Sequence, residues 1–159
     1  MLLGFLKKYP DSPPVLVHPP VLFGCGFLVG LALNIWLGWT FNVGNMVKIG
    51  YGFIVGGFAI CAWAVWKLRA AGTNVPTNLP TTALVTTGPY KSTRNPIYIG
   101  LSIAYLGLAS LLDAPLALLS LAPVLFVLHV GVVLREEQYM TEKFGKAYED
   151  YVDRSSRYF

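Results

Sequence analysis

Residues 114–134 read APLALLSLAPVLFVLHVGVVL, a run without Asp, Glu, Lys or Arg, bounded by Asp113 and Arg135. A helix that crosses a bilayer needs about 20 mostly apolar residues, and this run supplies them. The same gap rule finds three more spans. The stretch from Asp11 to Lys48 carries no charge, and Pro19, Pro20 and the turn-like 40–45 segment confine its span to about 20–40. Lys48 and Lys67 bracket a second span, about 47–67, and Arg94 and Asp113 a third, about 96–112. Asp113-Ala114-Pro115 joins the third to the fourth, about 114–134, through a connection too tight for anything but a hairpin. The expected fold is all-α: a polytopic integral membrane four-helix bundle, one domain over 1–159, with a loop at about 68–95 and a C-terminal helical tail.

Composition points the same way. Of 159 residues, 55% are hydrophobic and 13% charged, with mean hydropathy +0.56. Soluble domains carry about 25% charged residues. Residues 135–159 hold eleven formal charges, which leaves nine for the first 134 residues. So few charges cannot cover a water-soluble globule, and the apolar content excludes disorder.

Orientation follows from the cations. Four spans put the N-terminal arm, the 68–95 loop and the tail on one side, with eleven of the twelve Lys and Arg residues and only Lys48 opposite. By the positive-inside rule both termini are expected in the cytoplasm, as in a bacterial inner-membrane protein. The net charge of +4 then reflects topology and attraction to anionic lipid, not nucleic-acid binding. Met1–Leu6 precedes Lys7 and Lys8, the reverse of a signal peptide, so the arm reads as an interfacial anchor.

Several chemistries are missing. Cys25 and Cys61 fall within spans, where no disulfide framework is expected. His18 and His129 stand alone, without zinc-type spacing. Gly26/Gly30 and Gly52/Gly56 read as small-xxx-small pairs for close helix approach, not as a dinucleotide-binding loop.

The chemistry gathers around the central loop. Residues 70–96 carry seven threonines and four prolines but few charges, so the loop should fold against the bundle instead of trailing as a linker. It ends in Gly88-Pro89-Tyr90-Lys91-Ser92-Thr93-Arg94-Asn95-Pro96, which feeds cations into the third helix. On that helix Asn95, Tyr98, Ser102 and Tyr105 fall within about 80° of one another. They form either inter-helix hydrogen bonds or one wall of a polar cavity that opens at Arg94. Gly100, Ala104 and Gly107 make an opposite, small-residue stripe. Gly100 there is open to close packing, the better reading, or to ligand contact.

If the fourth helix continues into the tail, Val133, Glu137, Met140, Phe144 and Tyr148 share a face. Glu137 then sits on an apolar stripe, where an unpaired carboxylate is costly. It either pairs with a loop cation such as Arg94 or Lys91 or faces a ligand, and a ligand with both charge types satisfies both readings. Glu136 is about 100° away, in line with His129. His129 reads first as a neutral, hydrogen-bonded structural histidine.

The segment Gly88-Pro-Tyr-Lys-Ser-Thr-Arg94-Asn95-Pro96-Ile-Tyr98-Ile-Gly100, followed about 35 residues later by Glu136-Glu137-x-x-Met140-x-x-x-Phe144-Gly145-x-x-Tyr148-x-x-Tyr151, resembles the two-part signature of the isoprenylcysteine carboxyl methyltransferases and related phospholipid methyltransferases. The likeness covers about 70–159, the expected catalytic half, and is nearest the small bacterial members. Many members have His where this chain has Asn95, which can hydrogen-bond but cannot titrate. The resemblance implies S-adenosylmethionine as donor and a cofactor site built from the Arg-Asn-Pro segment, the fourth helix and the paired glutamates. It makes Arg94, Asn95 and Glu136 candidate catalytic residues. Tyr90, Arg94, Tyr98, Gly100, Glu136 and Glu137 become candidate cofactor contacts.

The residue types suit that donor. A guanidinium binds a carboxylate through two parallel hydrogen bonds, a task for Arg94. Glu137 suits the ammonium or ribose hydroxyls, and Tyr98 or Tyr90 suits the sulfonium through cation–π attraction. The acceptor is a lipid-like molecule arriving from the bilayer, whether an isoprenylcysteine-type carboxylate, a phospholipid amine or another hydrophobic small molecule. A carboxylate needs no base, whereas an amine must pass a proton to His129 or a glutamate. The competing readings are an NADPH-dependent membrane reductase of similar C-terminal pattern and a small transporter or assembly protein. The absence of a carboxylate within any span counts against transport.

Overall fold

The computed structural model describes residues 11–41 and 46–159. Among them the chain is helical, with no strand beyond an isolated parallel bridge between Thr93 and Ser156. Seven α-helices follow one another: α1 (Pro19–Leu37), α2 (Met46–Ala70), α3 (Pro96–Leu111), α4 (Pro115–Leu119), α5 (Leu121–Leu128), α6 (Leu134–Phe144) and α7 (Lys146–Val152). The expected anchor at Met1–Leu6, with Lys7 and Lys8, lies outside the described residues.

Each boundary has a local cause. Pro19 and Pro20 open α1, where a missing N–H costs nothing. Gly38 closes it in the left-handed region (φ 66°), its N–H returning to the Asn34 carbonyl at 2.9 Å. Asn34 is buried, and its Oδ1 accepts the Leu116 N–H at 3.1 Å, which satisfies a first-turn amide of α4. Asp113 takes a positive φ of 49° at the α3–α4 turn, and its carboxylate accepts the Phe41 N–H at 2.8 Å.

The last apolar helix continues into the tail. α4, α5, a π-helical turn at His129–Val133 and α6 form one rod, Pro115–Phe144, of 30 residues. It does not stop at 134, because the charges that begin at Arg135 ride on α6 beyond the apolar run. Within the π turn the Leu134 N–H reaches back to the His129 carbonyl. The Gly131 carbonyl accepts the Leu16 N–H at 3.0 Å, which docks the segment before α1 on the rod.

Three helices, Pro19–Leu37, Lys48–Ala70 and Pro115–Phe144, are long and apolar enough to cross a membrane. α3 is apolar but has 16 residues, about 24 Å at 1.5 Å per residue, short of a full span. By length, three of the four expected crossings are met, and α3 is a shorter apolar helix. Leu28, Ile35, Trp36, Phe58, Trp63, Trp66 and Phe126 all point outward, as lipid-facing side chains do. The chain is a membrane protein.

Close packing joins the helices, since lipid offers apolar surfaces no reason to leave it. Gly26 and Gly30 do meet the rod: a Cβ on Gly30 would lie 2.6 Å from the Ala117 Cα. The Gly52/Gly56 pair does not behave as expected, for a Cβ at either position would meet nothing within 4 Å beyond its own helix. The α2–α3 contact uses Gly50 and Gly57 instead, two turns apart, against Gly107 and Gly100. A Cβ on Gly50 would come within 2.8 Å of the Gly107 carbonyl, and one on Gly57 within 2.5 Å of the Gly100 carbonyl. Phe23 and Phe27 of α1 meet the Tyr105 ring edge-on, and Leu121, Val124, Leu128, Val132 and Val133 complete the core.

Candidate functional site

The start of α1, the end of α2, the start of α3 and α6 meet at one end of the structure. The 71–95 loop covers them, folded on itself as its composition suggests. The buried Thr73 hydroxyl accepts the Thr82 N–H at 2.9 Å, Thr82 Oγ1 donates to the Gly72 carbonyl at 3.0 Å, and Asn74 donates to the Pro80 carbonyl at 2.8 Å. Its far end turns at Gly88 (φ 65°) into a short 3-10 helix, Gly88–Lys91, that buries Tyr90.

These elements enclose a cavity of about 350 Å3, within the ~300–1,000 Å3 of small-molecule sites. The lining is part apolar, with Pro19, Leu68, Leu79, Leu84, Val85 and Leu101, and part polar or charged, with Arg94, Asn95, Tyr98, Glu136, Glu137 and Tyr90.

Two charge arrangements build the polar part of the lining. In the first, Glu137 accepts from Arg94 Nε at 3.2 Å, with the two side chains 17% and 9% exposed. It also accepts from Arg157, whose Nε lies 3.0 and 3.1 Å from the two carboxylate oxygens and whose Nη2 lies 2.7 Å from Oε2. The loop cation that pairs with Glu137 is thus Arg94; Lys91 is exposed and lines no part of the cavity. Arg94 Nη1 donates to the Val152 carbonyl at 3.2 Å, to the Ser155 carbonyl, and to Ser155 Oγ at 3.4 Å. With Nε and Nη1 both engaged, the two-bond fork assigned to Arg94 on a donor carboxylate is occupied by the protein's own groups.

In the second arrangement the Tyr98 hydroxyl lies 2.8 and 2.9 Å from the two oxygens of Glu136. The α3 stripe divides at this point. Asn95 and Tyr98 line the cavity, whereas Ser102 bonds back to the Tyr98 carbonyl and Tyr105 reaches Ser120 at 2.7 Å. The inner half therefore serves packing. Gly100 also stands apart from the cavity, since a Cβ there would meet Cys61 Sγ at 2.6 Å and the Gly57 carbonyl at 2.7 Å. This geometry is that of a packing residue, and it corrects the assignment of Gly100 to a cofactor contact.

The alignment of His129 with Glu136 assumes a straight helix, and the π turn between them breaks that register. His129 Nδ1 lies 2.9 Å from the Tyr158 hydroxyl, away from the cavity. Glu137 and Met140 do line the cavity. Tyr148 joins them from α7, after the chain reverses at Gly145 (φ 50°).

The tail brings residues that sequence reading left out. After α7, Ser156 bridges to the Ser92–Arg94 segment: its carbonyl accepts the Arg94 N–H at 2.9 Å and its N–H reaches the Ser92 carbonyl at 3.0 Å. The Arg157 carbonyl accepts from Thr93 Oγ1 at 3.1 Å and from Asn95 Nδ2 at 2.9 Å. Tyr151 donates to the Tyr90 carbonyl at 2.6 Å. Burial pushes the Tyr151 phenol up to about 12, and burial first of all holds Tyr90 and Tyr148 above the ordinary phenol range. All three are neutral at pH 7. Arg157 had no local signal, because its partners lie 20 and more residues away in sequence. Among the described residues, no group of three or more His, Cys, Asp or Glu is placed to hold a metal ion.

A family model described as phospholipid methyltransferase matches residues 45–147, more than half of the chain. Among characterised proteins, the nickel-cobalt-cadmium resistance protein NccN of Alcaligenes xylosoxydans xylosoxydans is 30% identical over 78 residues. That match covers 49% of this chain and 36% of the relative, so the chain spans little more than a third of its length.

Proposed function

The chain belongs to the phospholipid methyltransferase family, and from that premise we propose that it transfers a methyl group from S-adenosylmethionine to a lipid-like acceptor at the membrane rim. The observation that carries the reading is one cavity whose lining joins Arg94, Asn95, Glu136 and Glu137 with apolar residues from the start of α1, the end of α2 and the start of α3.

The residues fit the donor. S-adenosylmethionine bears a carboxylate, an ammonium, a sulfonium and a ribose diol, and supplies when bound an already activated methyl group. Glu137, fixed by two guanidiniums, is the acceptor for the ammonium or the ribose hydroxyls. Arg94, with two of its three nitrogens engaged, offers the carboxylate a single contact and a positive field. Tyr90 and Tyr98 contribute phenol rings to the same lining and suit the sulfonium. The protein's task is alignment and exclusion of water, and the 71–95 loop with the tail supplies the cover.

Glu136 faces the acceptor side. With His129 turned to Tyr158, Glu136 is the group that takes the proton of an amine acceptor; a carboxylate acceptor leaves it a positioning role. The acceptor class is an isoprenylcysteine-type carboxylate or a phospholipid amine, and its tail lies along Leu68, Ile97 and Leu101. With four crossings, eleven of the twelve cations share the side of the cavity, which supports a cytoplasmic opening, where the donor is dissolved.

The test is incubation of the purified protein with S-adenosylmethionine carrying a labelled methyl group and a total lipid extract, followed by identification of the labelled product. Label in a lipid product supports the reading. Absence of label together with tight NADPH binding would replace it by the reductase.

A further inference from the structure

Arg157 lies beyond the stretch that the family model matches, does not line the cavity, and yet touches two of the residues that do. Its guanidinium grips Glu137 through three contacts of 2.7–3.1 Å, and its carbonyl holds the Asn95 amide at 2.9 Å. We propose that Arg157 is a positioning residue of the site, which sets the Glu137 carboxylate and the Asn95 amide for the donor from behind. The inference rests on the donor reading given above.

Three observations lead there. A carboxylate at the edge of an apolar cavity has a strong preference for partners, and Arg94 alone offers it one contact, through Nε. Arg94 is committed elsewhere, to the Val152 and Ser155 carbonyls, so it cannot also fix the plane of the carboxylate. Two nitrogens of Arg157 bind both carboxylate oxygens, and planar two-point contact of this kind removes rotation about the last side-chain bond.

The backbone of the same segment is anchored independently. Ser156 pairs with Ser92 and Arg94, and Thr93 Oγ1 bonds the Arg157 carbonyl. Arg157 is therefore held by its main chain and free to use its side chain on Glu137. Its side chain is 40% exposed, so the contact is reachable from water and not a buried packing unit. That exposure separates a positioning role from a core one: removing the guanidinium opens no cavity.

The experiment titrates S-adenosylhomocysteine into detergent-solubilised full chain, as wild type, Arg157→Lys, Arg157→Gln, Glu137→Gln and the double variant Glu137→Gln/Arg157→Gln. Melting temperature is measured alongside. Arg157→Gln should weaken binding about tenfold and Arg157→Lys by less, because an ammonium restores the charge but not the two-point grip. In the Glu137→Gln background, Arg157→Gln should add less than about twofold. Wild-type binding with an unchanged Arg157→Gln would overturn the role of Arg157 alone. A full tenfold loss in the Glu137→Gln background would also overturn it, by placing the effect outside Glu137. If Arg157→Gln does not fold, the ratio of Arg157→Lys to wild type decides, and equality there overturns the proposal. No binding by wild type would overturn the donor reading and this inference with it.

Discussion

The Tyr98 hydroxyl sits between the two oxygens of Glu136, at 2.8 and 2.9 Å, and joins the first turn of α3 to α6 within the cavity lining. Tyr98→Phe keeps the ring and its packing but strips Glu136 of that donor. A hydrogen bond to a charged group is worth about 1.5–3 kcal/mol. Turnover should fall roughly ten- to a hundredfold, while donor affinity shifts by less than about threefold. Initial rates at varied donor concentration separate the two. A change confined to donor affinity would mean that the Tyr98 hydroxyl serves the donor and not the role of Glu136 in turnover.

Arg94 and Lys91 differ in burial and should differ in consequence. Arg94 is 9% exposed and holds Glu137, Val152 and Ser155 together. Arg94→Lys keeps the charge but cannot span those acceptors, and should cost about 1.5–3 kcal/mol of stability and a clear loss of donor binding. Lys91→Ala, at an exposed loop position, should change stability by less than about 0.5 kcal/mol. Melting curves and donor titration on both variants check this; equal effects would mean that the site responds to general positive charge.

Glycine substitutions should sort by what a Cβ meets. Gly57→Ala and Gly100→Ala push a methyl group against backbone across the α2–α3 contact and should destabilise by about 1–3 kcal/mol. Gly52→Ala and Gly56→Ala meet nothing within 4 Å and should be neutral or slightly stabilising through helix propensity. Thermal unfolding of the four variants in one detergent gives the ranking, and a loss at Gly52 equal to that at Gly57 would contradict the packing described.

The charge asymmetry makes a prediction about sidedness. Thr86, exposed in the loop, is replaced by cysteine in a background where Cys25 and Cys61 are alanine. A membrane-impermeant maleimide should leave intact cells unlabelled and react after lysis. Labelling in intact cells would reverse the orientation and close the cytosolic route to the donor.

Much of this was legible in the residues by themselves. Gaps between charges located the apolar helices because the cost of a charge in hydrocarbon is local and does not depend on fold. Gly88–Gly100 and Glu136-Glu137 stood out as polar groups at the edges of apolar runs, and five of the six candidates on them, with Asn95, share one cavity. What tertiary structure alone decided is where register or distance intervenes. The His129–Val133 π turn offsets the rod, so the straight-helix link between His129 and Glu136 fails. Helix spacing proposed Gly52 and Gly56 for contact, but the crossing of α2 over α3 selected Gly50 and Gly57. Arg157 meets Glu137 across 20 residues and Asn95 across 62. Periodicity reports which face a residue occupies on its own helix; which partner faces it back is set by how the helices pack and where the tail returns.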